Sequence, residues 1–404
     1  MLRKLLLSAF LLIQLSSAFS SEEKKKPTVC LNMIVKNESK VICRCLESAL
    51  PLIDYWVIVD TGSTDGTQQV IINYMKEKNI PGTLYEKPWK NFAHNRNEAL
   101  VFAENTADYV LILDADDYLI YQPEFQLPDW KMDSYTIMSS LGGTEYAATR
   151  LLDMKHKWKW EGVVHEYLTS PTAIFSSHLS NVVNFCTRDG ARSQDPEKYH
   201  KDAQMIYTAL QEDPTNTRYT FYLAQSYRDA GESEKALEYY EKRVEMGGWD
   251  QEVFYALYQI ASLKEHLEYP VNEVAAAYLK AYSFRPTRWE PLYRLARYYR
   301  TKANFEAAYR VGRLAADMSP SNDILFVEKW ISDYGLIVER TVSAYWTEKY
   351  EEAKELCQQI QTINNLPEDI RNLNNNNLRF AEEKLKEKMK QTEILEILQL
   401  SKAM

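Results

Sequence analysis

The first third of the chain alternates short apolar segments with segments of helical character, and this alternation restricts the folds that it can adopt. Apolar runs bounded by polar turns are typical of strands that are buried on both faces of a sheet. Strands that alternate with helices form parallel sheets covered by helices on both sides. The sequence therefore predicts an α/β domain with a Rossmann-like sheet. The predicted strands are residues 28–35, 55–59, 82–85 and 109–113, and the predicted helices are about 39–50, 67–78 and 93–104.

Charged side chains follow these strands where they end. Asp60 directly follows the second strand, and Arg96 lies beyond the third. Asp114 and Asp116 follow the fourth strand and are two residues apart. Such a pair suits a hard divalent cation, which in turn binds a diphosphate. An acidic pair after a strand also occurs in ordinary solvated turns, but ligands of open α/β sheets bind at the carboxyl ends of strands, so the convergence of these charges favours a ligand site.

Four short motifs occur in a fixed order along this part of the chain. They are Val35-Lys36-Asn37-Glu38, the run Asp-Thr-Gly-Ser-Thr-Asp-Gly-Thr over residues 60–67, Arg96-Asn97-Glu98-Ala99, and Leu113-Asp114-Ala115-Asp116-Asp117. With these motifs, residues 28 to about 190 resemble a family-2 glycosyltransferase of the GT-A fold, and most closely the branch that includes lipopolysaccharide-core β-glucosyltransferases.

The resemblance implies a role for each of these charged residues. Asp60 would contact the nucleotide base, and Arg96 the base or the diphosphate. Asp114 would bind the ribose, and Asp116 the metal ion, Mn²⁺ or Mg²⁺, that bridges the two phosphates. The same resemblance makes UDP-glucose the first expectation for the donor.

Beyond the acidic pair, the pattern becomes antiparallel. Residues 134–138 and 146–151 flank Gly142-Gly143, which predicts a hairpin. Residues 158–168 then read as a further strand that contains His165 and Glu166. A hydrogen-bonded structural histidine is one interpretation. The segment also resembles the Gly-x-Val-His-Glu stretch of the same glucosyltransferase branch, and His165 is therefore assigned to the metal or the diphosphate.

An inverting transfer needs a carboxylate that accepts the acceptor's proton. Glu161 and Glu166 are the candidates, with Asp189 third. In a regular strand His165 and Glu166 would face opposite sides, which favours Glu161 slightly; a bulge or strand end would remove that argument.

The segment 186–193 joins the two halves of the chain and contains Arg188 and Arg192. These arginines could reach the diphosphate as charge develops on the leaving group. A solvated turn around Asp189-Gly190 is the alternative interpretation. The predicted glycosyltransferase domain is residues 28–194.

Residues 195–365 are predicted to form tetratricopeptide-like helical repeats, because small and aromatic residues recur at the spacing of that repeat. Pro286 and Pro320 lie 34 residues apart, one repeat length. Residues 366–404 are predicted to form capping helices, including a charged helix from about residue 378. The positions that carry the repeat pattern are Leu223, Ala224, Tyr227, Gly231, Ala236 and Tyr240, and again Leu295, Ala296, Tyr299, Ala308 and Ala315.

The amino terminus reads as a secretory signal peptide or a short anchor over residues 1–20, followed by a polar linker over 21–27. This predicts a protein of the secretory lumen or an exported protein, with membrane contact only if the segment stays uncleaved. The formal charge of −9 and the pI near 5.4 argue against nucleic acid as a partner.

The sequence thus predicts a metal-dependent inverting hexosyltransferase that uses a nucleotide sugar and acts on a glycan or on a protein held by the repeats. The alternative is a non-catalytic adaptor, in which the repeats bind a protein and the first domain is a degenerate transferase. The intact charged set at residues 60, 96, 114 and 116 favours the enzyme.

Overall fold

The computed structural model describes residues 26–316, 318 and 321–403. The predicted signal peptide and most of the polar linker lie outside these residues. Within the described ranges, no helix is both long enough and apolar enough to cross a membrane. The strands are β1 (Val29–Val35), β2 (Tyr55–Asp60), β3 (Gly82–Glu86), β4 (Tyr109–Ile112), β5 (Tyr118–Tyr121), β6 (Ser134–Leu141), β7 (Thr144–Asp153), β8 (Lys159–Glu161), β9 (Tyr167–Thr169) and β10 (Ser176–Phe185).

One mixed sheet of eight strands forms the first domain, in the order β3-β2-β1-β4-β7-β6-β10-β5. Strand β1 pairs in parallel with β2 and β4, and β2 pairs in parallel with β3. Strand β7 then runs antiparallel to β4 and to β6. The predicted parallel half and the predicted hairpin are both confirmed, and Gly142 and Gly143 form the hairpin turn with φ of 57° and 84°.

Alternate residues of the central strands enter two separate apolar cores. Leu31, Ile58 and Leu111 pack on one side of the sheet, whereas Val57 and Val110 pack on the other. Because both faces are buried, the free positions for a ligand lie at the strand ends, where Asp60 and Asp114 occur. The helices that cover the sheet are α1 (Ile42–Ala49), α2 (Thr67–Glu77) and α3 (Phe92–Ala103), close to the predicted bounds.

The strand predicted over residues 158–168 does not form, and that prediction is wrong. The segment instead makes the two-stranded sheet of β8 and β9, joined by the loop 162–166. The chain reverses there because Gly162 and His165 adopt positive φ angles of 107° and 54°. The alternation argument that favoured Glu161 over Glu166 as the base therefore loses its premise.

The rest of the described chain is helical, which confirms the predicted all-α tetratricopeptide-like region. Successive helices pack on one another across short turns, and alanines that are fully buried lie where they cross, among them Ala224, Ala236, Ala296 and Ala308. These helices are α4 (Lys198–Glu212), α5 (Thr217–Asp229), α6 (Ser233–Met246), α7 (Asp250–His266), α8 (Val271–Phe284), α9 (Glu290–Thr301), α10 (Phe305–Leu314), α11 (Leu336–Trp346), α12 (Tyr350–Gln361) and α13 (Glu368–Ala403).

Helix α13 begins ten residues earlier than the predicted helix start near residue 378. Four consecutive asparagines, residues 374–377, lie inside the helix. Asn374 is 2% exposed and donates a hydrogen bond from Nδ2 to the Cys357 carbonyl at 2.9 Å. A buried side-chain bond therefore overrides the weak helix propensity of asparagine at this position.

The helical region also packs against the sheet. Glu145 of β7 forms an isolated antiparallel bridge with Val327, and the Ala147 amide donates to the Ile324 carbonyl at 3.0 Å. The Tyr146 ring contacts Phe326 with ring centroids 5.7 Å apart. The two parts of the chain thus share an interface in addition to the linking segment.

Candidate active site

Asp60 lies at the carboxyl end of β2 and is 1% exposed. Its Oδ1 atom accepts hydrogen bonds from the Gly62 amide at 2.9 Å and from the Ser63 amide at 2.8 Å. Its Oδ2 atom is buried and has no hydrogen-bond partner among the described residues. Because buried acceptors are almost always paired, this oxygen marks a position for an N–H or O–H donor of a ligand.

Arg96 joins two carboxylates at the centre of the site. It donates from Nε to Glu166 Oε1 and from Nη2 to Asp114 Oδ1, both at 2.5 Å. Its guanidinium carbon lies 5.1 Å from the centroid of the Trp160 ring. The structure therefore brings together three of the predicted residues, Arg96, Asp114 and Glu166, in one charged network.

Arg150 is a second arginine in this network, and the sequence reasoning missed it. The side chain is buried and lies 3.5 Å from Asp114 and 3.5 Å from Asp117. Desolvation opposes ionisation of Asp114, but Arg96 and Arg150 outweigh it and hold the pKa of Asp114 well below its usual range. Burial raises the pKa of Asp117 to about 6, and the Asp114 charge adds to the shift.

Asp116 has its carboxylate free of hydrogen bonds from other described residues, while its backbone is fixed. Its carbonyl accepts from Arg44 Nη2 at 2.7 Å and from Thr187 Oγ1 at 2.8 Å. A Cβ atom at Gly190 would lie 2.5 Å from Asp116 Oδ2, so only glycine fits over this carboxylate. Burial raises the pKa of Asp116, and the neighbouring Asp114 raises it further. Asp116 is therefore an oriented carboxylate in a cradle that a side chain at residue 190 would fill.

Glu38 is a further carboxyl group beside Asp116. It follows β1 and accepts hydrogen bonds from the Ala191 amide at 3.1 and 3.3 Å. Burial raises the pKa of Glu38 to about 7, and the Asp116 carboxylate contributes to the shift. The rule that identified Asp60 and Asp114, a polar residue at the carboxyl end of a parallel strand, would also have identified Glu38.

The segment 187–192 covers Asp116 and is tied down at several points. Arg44 of α1 forms a bidentate pair with Asp189 at 2.8 and 2.9 Å, which lowers the pKa of Asp189 to about 2. Arg192 pairs with Asp202 and stacks over Phe92. Asp189 is thus engaged by a guanidinium, and Arg192 by a carboxylate.

Arg188 and Lys198 are two cations of the same region, and neither forms an ion pair with another described residue. Arg188 is exposed, and its carbonyl accepts a hydrogen bond from Gln194. Lys198, the first residue of α4, was missed by the sequence reasoning. Desolvation lowers the pKa of Lys198, and Arg192 lowers it further, whereas Asp202 and, to a smaller extent, Asp116 act in the opposite direction. Lys198 therefore lies within electrostatic reach of Asp116.

His165 lies at the boundary with the helical region. Its ring stacks on Tyr222, with centroids 4.1 Å apart and planes at 13°, and its carbonyl accepts from Arg218 Nη2 at 2.9 Å. Desolvation lowers the pKa of His165 and the Arg218 charge lowers it further, which keeps the imidazole neutral near pH 7. A neutral imidazole is the form that binds metal ions.

Glu161 is held away from this charged network. Its Oε1 atom lies 3.2 Å from Lys159 Nζ, and its Oε2 atom accepts from the Tyr167 hydroxyl at 3.3 Å. Of the two predicted bases, Glu166 is the one that contacts Arg96.

Within the described part of the chain, no group of three or more His, Cys, Asp or Glu side chains is arranged to hold a metal ion. Mg²⁺ in phosphate-transfer sites is bound by one or two carboxylates together with the phosphates of the substrate. The free, oriented carboxylate of Asp116 in its glycine cradle fits that kind of partial site.

Comparisons with known proteins agree with this description. Residues 30–124 match the family model described as Glycosyl transferase family 2. The chain is 26% identical over 240 residues to the SPbeta prophage-derived glycosyltransferase SunS of Bacillus subtilis (strain 168), covering 55% of this chain and 54% of SunS. It thus spans about half the length of that relative. A TPR repeat-containing protein of Synechococcus elongatus is 35% identical over 95 residues, which are 23% of this chain and 22% of that protein. Among solved structures, MamA covers 48% of this chain and 92% of its own, with 15% identity and a TM-score of 0.33.

The family match over residues 30–124 and the partial similarity to SunS support a glycosyl transferase family 2 domain in the first part of the chain, which continues into a tetratricopeptide-like helical region.

Proposed function

We propose that the protein is a metal-dependent inverting glycosyltransferase that moves a hexose from a nucleotide sugar to a glycan or protein acceptor. The observation that carries the proposal is the convergence of Asp60, Asp114 and Asp116 at the carboxyl ends of β2 and β4, each with a distinct electrostatic environment. Asp60 keeps an unpaired buried oxygen, Asp114 is held by two arginines, and Asp116 has a free carboxylate.

The proposed donor is a nucleoside diphosphate sugar, with UDP-glucose as the first candidate. Asp60 Oδ2 is suited to accept an N–H of the base, because it is an acceptor without a partner. Asp114 is kept ionised by Arg96 and Arg150 and can accept hydrogen bonds from ribose hydroxyls. Arg188 and Lys198 supply positive charge near Asp116, where a diphosphate would lie.

We propose Mn²⁺ or Mg²⁺ as the cofactor, with Asp116 as its protein ligand and His165 as the second predicted ligand. The metal would supply positive charge that neutralises the departing nucleoside diphosphate. Support for Asp116 comes from its carboxylate, which accepts no hydrogen bond from another described residue and lies against the backbone of Gly190. The neutral form of the His165 imidazole is compatible with metal binding.

Sugar transfer with inversion requires one carboxylate that accepts the proton of the acceptor oxygen as that oxygen attacks the anomeric carbon. Glu166 and Glu161 remain the proposed candidates. Contact with Arg96 supports Glu166, because this contact fixes the carboxylate beside Asp114. The Glu161 side chain is more open and pairs with Lys159 and Tyr167, which leaves it accessible to an acceptor that approaches from the β8–β9 side.

The experiment that tests the proposal measures UDP release from a panel of UDP-sugars by the purified protein, with Mn²⁺ or with EDTA. Release from one sugar that requires the metal and is lost in Asp116→Asn is the expected result. Asp369→Asn is the matched control, because Asp369 is an exposed carboxylate in the first turn of α13. Absence of both UDP release and UDP binding would overturn the proposal and favour the adaptor alternative.

A further inference from the structure

The loop between β8 and β9, residues 162–166, ends in Glu166 and so controls the position of one partner of Arg96. Arg96 uses its other nitrogen to hold Asp114. A displacement of the loop would therefore release Arg96 from Glu166 and alter how Asp114 is presented. The contact between Arg96 and Glu166 therefore depends on the conformation of this loop.

The loop does not hold this geometry by its own preferences. His165 has a φ of 54°, in the left-handed region that is unfavourable for residues other than glycine. Such conformations persist only where the surrounding structure fixes them, and they occur often at functional sites. The residues that fix His165 are therefore of functional interest.

Those residues belong to helix α5 of the helical region. Arg218 donates to the His165 carbonyl from Nη2 at 2.9 Å and from Nε at 3.3 Å. The Tyr219 hydroxyl accepts from the Val163 amide at 3.2 Å, and the Tyr222 ring stacks on the His165 ring at 4.1 Å. The Arg218 guanidinium also lies 4.7 Å from the centroid of Tyr222, so these side chains support one another.

Val164 lies between Val163 and His165 in the loop and is 3% exposed. Val164 belongs to the same apolar core as Ile206 of α4 and Phe221 of α5. Val163 is partly buried against this core. Three consecutive loop residues, 163 to 165, are thus held by helices α4 and α5.

We propose that the first helices of the repeat region form a structural part of the active site, in which Arg218 and Tyr222 are positioning residues that hold the loop 162–166 and, through Glu166, the Arg96–Asp114 pair. The helical region then has a role in the reaction as well as any role in acceptor binding. The kinetic test of this proposal rests on the proposed function, whereas the measurement of hydrogen–deuterium exchange does not.

The test compares Arg218→Ala and Arg218→Lys with a matched variant, Arg228→Ala, in the full chain. Arg228 lies on the same helix, and it donates hydrogen bonds to Asp229, Tyr240 and Tyr255, which are all in the helical region. Arg218→Ala is expected to lower kcat/KM for the donor by about 10- to 100-fold, since a small misplacement of the groups that hold the reactants has effects of that size. Arg218→Lys should recover part of the loss, because lysine can still donate one hydrogen bond to the carbonyl. A loss in Arg228→Ala equal to that in Arg218→Ala would overturn the proposal.

Hydrogen–deuterium exchange provides a readout that does not depend on catalysis. In Arg218→Ala the amides of residues 163–166 should exchange about 10- to 100-fold faster, as expected for loss of a hydrogen bond from a charged group. Exchange in β1 and β4 should stay unchanged. Tyr222→Leu removes the ring that stacks on His165 and should resemble Arg218→Ala. Unchanged exchange in the loop of Arg218→Ala would refute the inference. If the wild type releases no UDP from any donor, the proposed function fails while the exchange result still decides the positioning role.

Discussion

Replacement of Glu38 by glutamine is expected to stabilise the first domain at alkaline pH and to have much less effect at pH 5. Burial beside Asp116 raises the pKa of Glu38 from 4.5 to about 7. The folded protein therefore binds this proton more tightly than the unfolded chain does, so stability falls as the pH rises from about 4.5 to about 7. Glutamine carries no charge and can still accept the hydrogen bond from the Ala191 amide, so the variant avoids this loss.

The size of the expected stabilisation follows from the shift in the pKa of Glu38. A change from 4.5 to about 7 corresponds to about 3 kcal/mol in the free energy of unfolding at pH 8. Glu38 is only half-buried, and solvent screening reduces this figure to about 1–2 kcal/mol. At pH 5 only about a quarter of the effect remains, because the loss accumulates between the unfolded pKa of 4.5 and the folded pKa of about 7, and pH 5 lies near the start of that window. For a domain of this size, the melting temperature at pH 8 should rise by about 3–6 °C.

The assay is thermal unfolding of wild type and Glu38→Gln at pH 5 and pH 8. Asp65→Asn is the control of opposite sign, because hydrogen bonds from Thr67 and Ser39 outweigh desolvation and lower the pKa of Asp65 to about 2. That variant should be destabilised equally at both pH values, since Asp65 stays ionised in the folded and unfolded states across this range. A Glu38→Gln effect that is the same at pH 5 and pH 8, or that is destabilising at pH 8, would refute the reasoning.

Two further predictions concern the site. Asp60→Asn should weaken UDP binding by about 10- to 100-fold in calorimetry, because it removes a charged acceptor from a buried position; unchanged affinity would remove Asp60 from the nucleotide site. Glu161→Gln and Glu166→Gln should differ in steady-state kinetics, with the true base losing turnover while it keeps donor binding. Full turnover in both variants would exclude both residues as the base.

Strand and helix periodicity was sufficient to predict the parallel half of the sheet, because residues on both faces of β1, β2 and β4 are buried and the pattern is local. The same local rule identified Asp60, Asp114 and Asp116 at the ends of strands. Glu38 satisfies that rule as well, at the end of β1, and its place beside Asp116 depends on the Ala191 contact from a segment far along the chain. Sequence spacing alone does not show such a contact.

The loop between β8 and β9 marks where the sequence reasoning failed. Residues 158–168 have strand-like composition, but the chain turns at Gly162 and His165 under contacts from helix α5. Arg150 and Lys198 were missed for a similar reason, because each becomes part of the site only through tertiary packing. Long-range packing overrides local preference in these positions.

The first helices of the helical region lie next to the charged network. Helix α4 brings Lys198 toward Asp116, and Asp202 of the same helix holds Arg192. Helix α5 holds the loop that carries Glu166. The charged network and the first repeat helices therefore share side-chain contacts, and under the proposed function a substitution on α5 is expected to affect the site.

The most direct test of the proposed transferase is calorimetric titration of UDP into wild type, Asp116→Asn and Asp369→Asn, each with Mn²⁺ and with EDTA. Mn²⁺ is expected to strengthen UDP binding to the wild type and to Asp369→Asn, whereas Asp116→Asn should lose this enhancement and bind UDP as the wild type does in EDTA. Equal UDP affinity for wild type and Asp116→Asn in Mn²⁺ would contradict the assignment of Asp116 as the metal ligand and, with it, the proposed metal-dependent site.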